Sequence, residues 1–317
     1  MNKVKVILSV LFLNFTVFLF AQTINEAGEA FNKGIQNTKE KNYEMAIKSY
    51  NKCIDICKTV GADGDELKAK AEKQLTNAYY YSGMNFYKSK KFDEAIRDFK
   101  KTIEIAEKTS NPKMVDKAND YLAKVYRLKG NAFYKKKDYE RAITNFDKAL
   151  YYNLNYFKAY YGKGLVYKKL EDTENFKLAM DKVIELGPAD DKTVAKAKSI
   201  SRKFYIALAG KDLQHGDNSA ALDLLNISLE YGTTDPQAYY FFAIIYNNIL
   251  KWDKAIESAQ KALELEKESK VNIYFELGKA YEGAGNKEAA CNAFKNVTAG
   301  PNTDAAKHKV TQELKCN

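Results

Sequence analysis

Four cysteines, two histidines and a few paired carboxylates are the residues of this chain that could carry chemistry. Cys53 and Cys57 stand four apart, a spacing that puts both thiols on one face of a helix. Two sulfurs alone do not make a structural zinc site, and neither His215 nor His308 lies near them in sequence. Fixed helical backbone also works against a bond between them. Cys291 and Cys316 are the better candidates for a disulfide, which would join the last repeat to a closing helix in an oxidising compartment. Asp190 with Asp191 and Asp63 with Asp65 are carboxylate pairs, but each stands where a helix start wants an acceptor, so they read as caps. His215 falls in a turn between helices and His308 on the last helix, both as solvated surface residues. Gly278 and Gly283 have the glycine spacing of a phosphate-binding loop, yet Ala284 stands where lysine must. HExxH and GxSxG are missing from the chain. These residues predict no enzyme, no cofactor and no metal, and point to a binding protein.

The elements that would position a binding surface are helical. Hydrophobic residues make up 45% and charged residues 29% of the 317, and only four prolines interrupt them, which suits a globular, helix-rich chain. Residues 1–21 read differently. Lys3 and Lys5 precede an apolar run from Val6 to Phe20, broken only by Ser9, Asn14 and Thr16, and Ala21 follows. This is the pattern of a secretory signal cleaved after Ala21. As a helix the run would rise about 22 Å, short of a hydrocarbon core of roughly 30 Å. The expected location is the periplasm or cell surface of a Gram-negative bacterium, which disfavours nucleic acid as a partner.

A repeat organises the rest. Small residues twelve apart recur as Gly34/Ala46, Gly83/Ala95, Gly130/Ala142, Ala209/Ala221, Ala243/Ala255 and Gly278/Ala290, and Gly164/Ala179 forms a seventh pair with three extra residues. An aromatic stands three before the second member at Tyr43, Phe92, Tyr139, Phe176 and Trp252, and four before the first at Tyr79, Tyr126, Tyr160, Tyr205, Tyr239 and Tyr274. Offsets of three and four share a helix face, so each unit is a pair of helices joined by a short polar turn. Glycine inside a helix costs about 1 kcal/mol relative to alanine, so its recurrence at one offset points to close helix approach. Longer first helices are expected over 65–91, 111–137 and 190–215, opened by Asp65, by Asn111-Pro112 and by Asp190 or Asp191. The turn Glu171-Asp172-Thr173 reads as a longer one than the rest.

These units resemble tetratricopeptide repeats, whose pattern is an aromatic, then Leu-Gly, then Tyr, then Ala and Phe in a second helix. The resemblance implies an all-α, right-handed superhelical solenoid of about seven hairpins, stabilised by stacking because one hairpin cannot bury its own faces. Its expected organisation is a signal over 1–21, basic repeats one to four over 22–187, repeats five to seven over 188–300, and a C-terminal capping helix over 301–317. In that cap, Val310 and Leu314 would cover the last hairpin. The resemblance also implies a groove lined by the first helices. Mapped by offset from each first-helix aromatic, the groove residues are Tyr80, Met84, Tyr87, Arg127, Asn131, Tyr134, Lys158, Tyr161, Tyr240 and Asn247. Arg127 and Asn131 match one pair of the family's carboxylate clamp and Lys203 a later position, but Gly162 and Ala207 stand where polar partners belong.

Charge marks a second surface. Residues 22–160 carry 27 basic and 19 acidic side chains, whereas 161–317 carry 22 of each. The excess gathers at the turns, at Lys39 and Lys41, at Lys88, Lys90 and Lys91, at Lys135, Lys136 and Lys137, and at Lys168 and Lys169. Stacked hairpins would align these into a basic edge. The functional expectation is a non-catalytic scaffold of the cell envelope that binds a protein or peptide, acidic in one version, in its groove. The alternative is a glycan- or polyanion-binding envelope protein using the groove tyrosines and the basic edge, and membrane-surface association without a spanning helix is compatible with both. The oligomeric state is open.

Overall fold

A computed structural model describes residues 23–316, so the proposed signal segment lies outside the described residues. All regular structure among the described residues is helical. The chain falls into two compact units, the first ending at Val166 and the second beginning at Tyr167. In the first, α1 (residues 23–39) pairs with α2 (Tyr43–Val60), α3 (Asp65–Lys88) with α4 (Phe92–Lys108), and α5 (Pro112–Lys135) with α6 (Tyr139–Tyr152). Next come α7 (Phe157–Leu170) and α8 (Thr173–Leu186). The second unit continues with α9 (Lys192–Gln214), α10 (Asn218–Glu230), α11 (Pro236–Asn248), α12 (Trp252–Leu265), α13 (Val271–Gly283) and α14 (Lys287–Lys295). It closes on α15 (Thr303–His308), which runs into a π-helical turn, Lys309–Glu313.

Within each unit a helix packs on the one before it and the one after it, α2 to α6 in the first and α8 to α15 in the second. Among the described residues the core clusters join each hairpin to its neighbour or to the C-terminal cap. One cluster joins Ala27 and Ala30 of α1, Tyr50, Cys53 and Cys57 of α2, and Ala71, Leu75 and Ala78 of α3. Stability is therefore shared along the stack, as in any solenoid. At the C-terminus Val310 and Leu314 lie against Phe294, Val297 and Ala306, and Cys291 is bonded to Cys316 across 25 residues. A loop of that length, closed covalently, restricts the unfolded chain by roughly 3 kcal/mol.

The recurring glycines make room for rings. A β-carbon on Gly83 would come within 2.9 Å of the Phe99 ring, on Gly130 within 2.7 Å of Phe146, and on Gly278 within 2.6 Å of Phe294; Gly34 faces Tyr50 in the same way. In each case the ring belongs to the residue sixteen further on, in the second helix. Phe146 is fully buried, and a β-carbon on Gly162 of α7 would also meet its ring, so two glycines make room for one side chain.

The turns share one construction. In all seven pairs the second helix begins nine residues after the first-helix small residue. Seven residues after it stands a left-handed residue, Lys41, Lys90, Lys137, Glu171, Gly216, Leu250 or Gly285, with φ between 55° and 79°. The next residue returns its N–H to a carbonyl five back, as in Asp138 to Phe133 (3.0 Å) and Asp217 to Asp212 (2.9 Å), which closes the first helix in a Schellman cap. The same residue then opens the second helix. The carboxylates of Asp138, Asp172 and Asp217 and the amide of Asn286 accept from backbone N–H groups three residues on.

Three sequence expectations change. The turn Glu171-Asp172-Thr173 is no longer than the others, so the residue twelve after Gly164 is Phe176, not Ala179. Phe176 accordingly does not open a helix as Tyr43, Phe92, Tyr139 and Trp252 do, but is buried against Phe204 and Tyr205, at centroid distances of 4.4 and 5.9 Å. Asp65 does not cap α3. It is that helix's first residue, after a short 3₁₀ turn whose Gly64 presses on the Cys57 backbone. Asn111 and Asp191 do cap their helices, accepting from Met114 N–H and Thr193 N–H.

Candidate functional site

The lengthened helices bring one more turn of side chains to the first-helix face, and that turn holds a residue the offsets passed over. Tyr121 of α5 stands edge-on to Tyr80 (5.7 Å, 84°) and to Tyr87 (5.6 Å, 83°) of α3 and stacks on Phe99. Tyr80, Met84 and Tyr87 are half-buried in this aromatic cluster, and Lys124 places its ammonium 4.5 Å from the Tyr121 ring centre. Burial, helped by Tyr121 and Tyr81, pushes the Tyr80 phenol up to about 12. An aromatic nine residues before Gly130 was the available signal, but it carries meaning only once α5 is known to be long.

Further along α5, Arg127 donates from Nε to the Tyr156 hydroxyl at 2.9 Å, so its guanidinium is held in place with other donors left over. Asn131 is half-buried with no hydrogen-bond partner for its side chain among the described residues. Tyr134 leans on Tyr139, and burial followed by Tyr139 raises its phenol; burial followed by Tyr134 raises that of Tyr161, which places those two groups close together. The Lys158 ammonium lies 5.4 Å from the Phe157 ring. The first unit thus gathers Arg127, Asn131, Tyr134 and Tyr161 on one side of α5 and α7.

The second unit departs from expectation at Asn247. Its side chain is 4% exposed and donates from Nδ2 to the Glu276 backbone oxygen (2.9 Å) and to Oε2 (2.8 Å), tying α11 to α13. It is a structural tie, not a free groove contact, and Lys279 completes it with an ammonium 2.9 Å from Glu276 Oε2. The partner lies 29 residues away in the next hairpin, so spacing within one repeat could not reveal it. Tyr240 is half-buried beside it, its phenol raised by burial and by Glu276.

A recess of about 440 Å³ opens between α9 and α11, lined by Lys203, Lys211, Gln214, Gln237 and Phe241 among others. Gly210 makes it possible: a β-carbon there would come within 3.0 Å of the Phe241 ring, which forms an apolar wall. Lys211 pairs with Glu171 at 3.2 Å, whereas Lys203 has no carboxylate within 4.0 Å among the described residues. Asp235, on the rim, is engaged in capping Gln237 N–H and lies 3.5 Å from Arg202 Nε.

At the turns, Lys88, Lys90, Lys91, Lys135, Lys136 and Lys137 are exposed and have no carboxylate within 4.0 Å among the described residues. Lys168 and Lys169 belong to the second unit, Lys168 half-buried 6.0 Å from the Phe204 ring and Lys169 exposed. Cys53 and Cys57 are free and buried with their sulfurs 4.0 Å apart, and burial, then Cys57, pushes the Cys53 thiol up to about 12. No group of three His, Cys, Asp or Glu suited to a metal occurs among the described residues, and none of their helices is long and apolar enough to cross a membrane.

Profiles described as TPR or tetratricopeptide repeat match residues 31–59, 77–108, 130–171, 157–190 and 271–299, each over helix pairs of the kind just described. The chain is a tetratricopeptide-repeat protein. No curated protein matches it. Among solved structures, this tetratricopeptide-repeat chain is similar to MamA from Desulfovibrio magneticus RS-1 (22% identity, 55% of this chain and 92% of that one, TM-score 0.36). It is also similar to YrrB, described as a TPR protein with an unusual peptide-binding site (22%, 58% and 89%, 0.37), and to a tetratricopeptide repeat protein from Parabacteroides merdae (16%, 92% and 100%, 0.30). The tetratricopeptide register also accounts for which side chains reach the first-helix face: Lys203 and Gln237 occupy the same place in successive repeats, six residues before Ala209 and Ala243.

Proposed function

We propose that this protein is a non-catalytic scaffold of the bacterial cell envelope that binds an extended peptide along its first-helix faces, with an acidic side chain or terminal carboxylate seated between α9 and α11. The observation that carries the reading is the recess itself. It offers an uncommitted ammonium at Lys203, amide donors at Gln214 and Gln237, and the apolar Phe241 ring within one concavity of peptide side-chain size. A carboxylate there would gain charge-assisted hydrogen bonds while an adjacent apolar group covers the ring. In the first unit, Arg127 and Asn131 offer a second polar station flanked by Tyr134 and Tyr161. Export rests on the basic and apolar pattern of residues 1–21.

Selection of peptides from a random display library on the chain from Gln22 onward tests this. Selected peptides should carry Asp, Glu or a free C-terminus beside an apolar residue. Lys203→Ala should weaken them about tenfold, the value of one charge-assisted contact, with helicity by circular dichroism unchanged. If Lys203→Ala is neutral and Arg127→Ala with Asn131→Ala abolishes binding, the station lies in the first unit. If both are neutral, the groove reading fails.

A further inference from the structure

Three successive turns of the first unit, 39–42, 88–91 and 135–138, carry eight lysines, Lys39, Lys41, Lys88, Lys90, Lys91, Lys135, Lys136 and Lys137, against two acids, Glu40 and Asp138. None of the eight has a carboxylate within 4.0 Å among the described residues. Of the acids near the turns, Glu44 pairs with Lys48 at 3.0 Å, Asp93 with Lys129 at 2.6 Å and Asp138 with Arg141, while Glu40 accepts from the Gln36 amide at 3.0 Å. With eight ammonium groups against two carboxylates, the tips carry a net positive charge. Because every pair has the same register and α2 packs on α3 and α4 on α5, these tips line one edge of the unit. Lys41, Lys90 and Lys137 hold the left-handed turn position that glycine fills at Gly216 and Gly285 in the second unit.

We propose that this lysine edge docks on an anionic lipid bilayer. The chemistry of the edge selects a diffuse anionic plane over a structured polyanion. It offers ammonium point charges on flexible stems, with no arginine fork among the eight to read a single phosphate or sulfate geometry. Phe86 and Phe133 beside the tips are half-buried against the core and have cations beside their rings, Lys91 at 5.9 Å and Arg97 at 5.8 Å for Phe86 and Arg141 at 4.8 Å for Phe133, so neither is an open platform for sugars. Clustered lysines beside a negative leaflet each add to binding, and the attraction falls off within a Debye length, so contact at the tips suffices. The surface is separate from the recess between α9 and α11, and its test does not depend on peptide binding.

The test is flotation of the chain from Gln22 onward with vesicles of phosphatidylcholine alone and with about one third phosphatidylglycerol. Binding is expected only to the anionic vesicles and is expected to be lost as salt rises to about 0.5 M. Changing Lys88, Lys90 and Lys91 to Gln should weaken it at least about tenfold, and adding the same change at Lys135, Lys136 and Lys137 should abolish it. Lys251→Gln with Lys254→Gln, in the second unit, should leave it unchanged. Equal binding to neutral vesicles, indifference to the six substitutions, or capture by soluble acidic polysaccharide with no vesicle binding would each overturn the proposal. Circular dichroism of the six-fold variant serves as the folding control, and all six side chains are exposed.

Discussion

The hairpin α5–α6 of the first unit and the hairpin α9–α10 of the second are built on one register and filled differently. From Gly130 and from Ala209 alike, a left-handed residue follows at seven (Lys137, Gly216), a capping aspartate at eight (Asp138, Asp217) and a buried alanine at twelve (Ala142, Ala221). At sixteen the two diverge: where the first helix lacks a β-carbon the second sends the Phe146 ring, and where it has one the second sends Leu225. What is held constant is the volume shared by the two positions, as expected of interiors packed at crystal density. The turns diverge too, with lysine in the left-handed position of one and glycine in the other.

The largest effect should come from the packing pair. Phe146→Ala is expected to cost about 3–5 kcal/mol in denaturant unfolding, because two glycines flank the ring and cannot fill the void. Gly130→Ala alone should cost about 1–3 kcal/mol by overpacking. The double change Gly130→Ala with Phe146→Leu recreates the pair of α9–α10 and should recover at least about 1 kcal/mol relative to the sum of its single changes. Strict additivity would break the comparison.

Alkali should separate the units next. The Tyr80 phenol in the first unit and the Tyr205 phenol in the second are each pushed up to about 12, mainly by burial. Tyr231 in the second unit is raised further, by burial and by donating to Asp181 at 2.7 Å. A phenol that stays neutral in the folded chain contributes stability that is complete below the unfolded value of about 10 and is lost as pH climbs through the folded value. The second unit's unfolding midpoint should therefore fall from about pH 10 upward, whereas the first unit, which also buries the Cys53 thiol, should begin to fall near the free-thiol value of about 8.5, as followed by tyrosinate absorbance together with helicity. Tyr231→Phe should make the second unit's alkaline decline shallower, and an unchanged decline would remove Tyr231 as a contributor.

The turns should give the smallest shift. A side chain in the left-handed region costs roughly 1 kcal/mol that glycine does not incur, so Lys137→Gly should stabilise by about that amount and Gly216→Lys destabilise by as much. Leu250, 67% exposed at φ 58°, is a third site at which glycine should stabilise. Equal stabilities across the three would show the turn position to be indifferent to residue type.

The helical hairpins, their lengthened members and most caps were legible because each depends on residues within one turn of one another. Gly130, Asp138 and Ala142 declare their roles through fixed offsets, and Asn111 and Asp191 through the first turn that follows them. The register at Phe176 is not legible from residue type, because that position accepts a ring as well as a small residue; the turn geometry at Glu171 settles it. The recess escaped notice because Gly210 and Phe241 meet across 31 positions, and Tyr121 because its place on the face depends on how far α5 extends.

Sequence alone therefore determined the repeat: local hydrogen bonding and the helical period dictate where each helix starts, stops and shows its small face. Tertiary structure decided which polar groups remain free. Asn247 is consumed by Glu276 in the next hairpin, Arg127 is steadied by Tyr156, and Lys203 is left without a carboxylate among the described residues. The reason is that availability depends on every group brought nearby by stacking, and stacking joins residues that no offset within a single repeat relates.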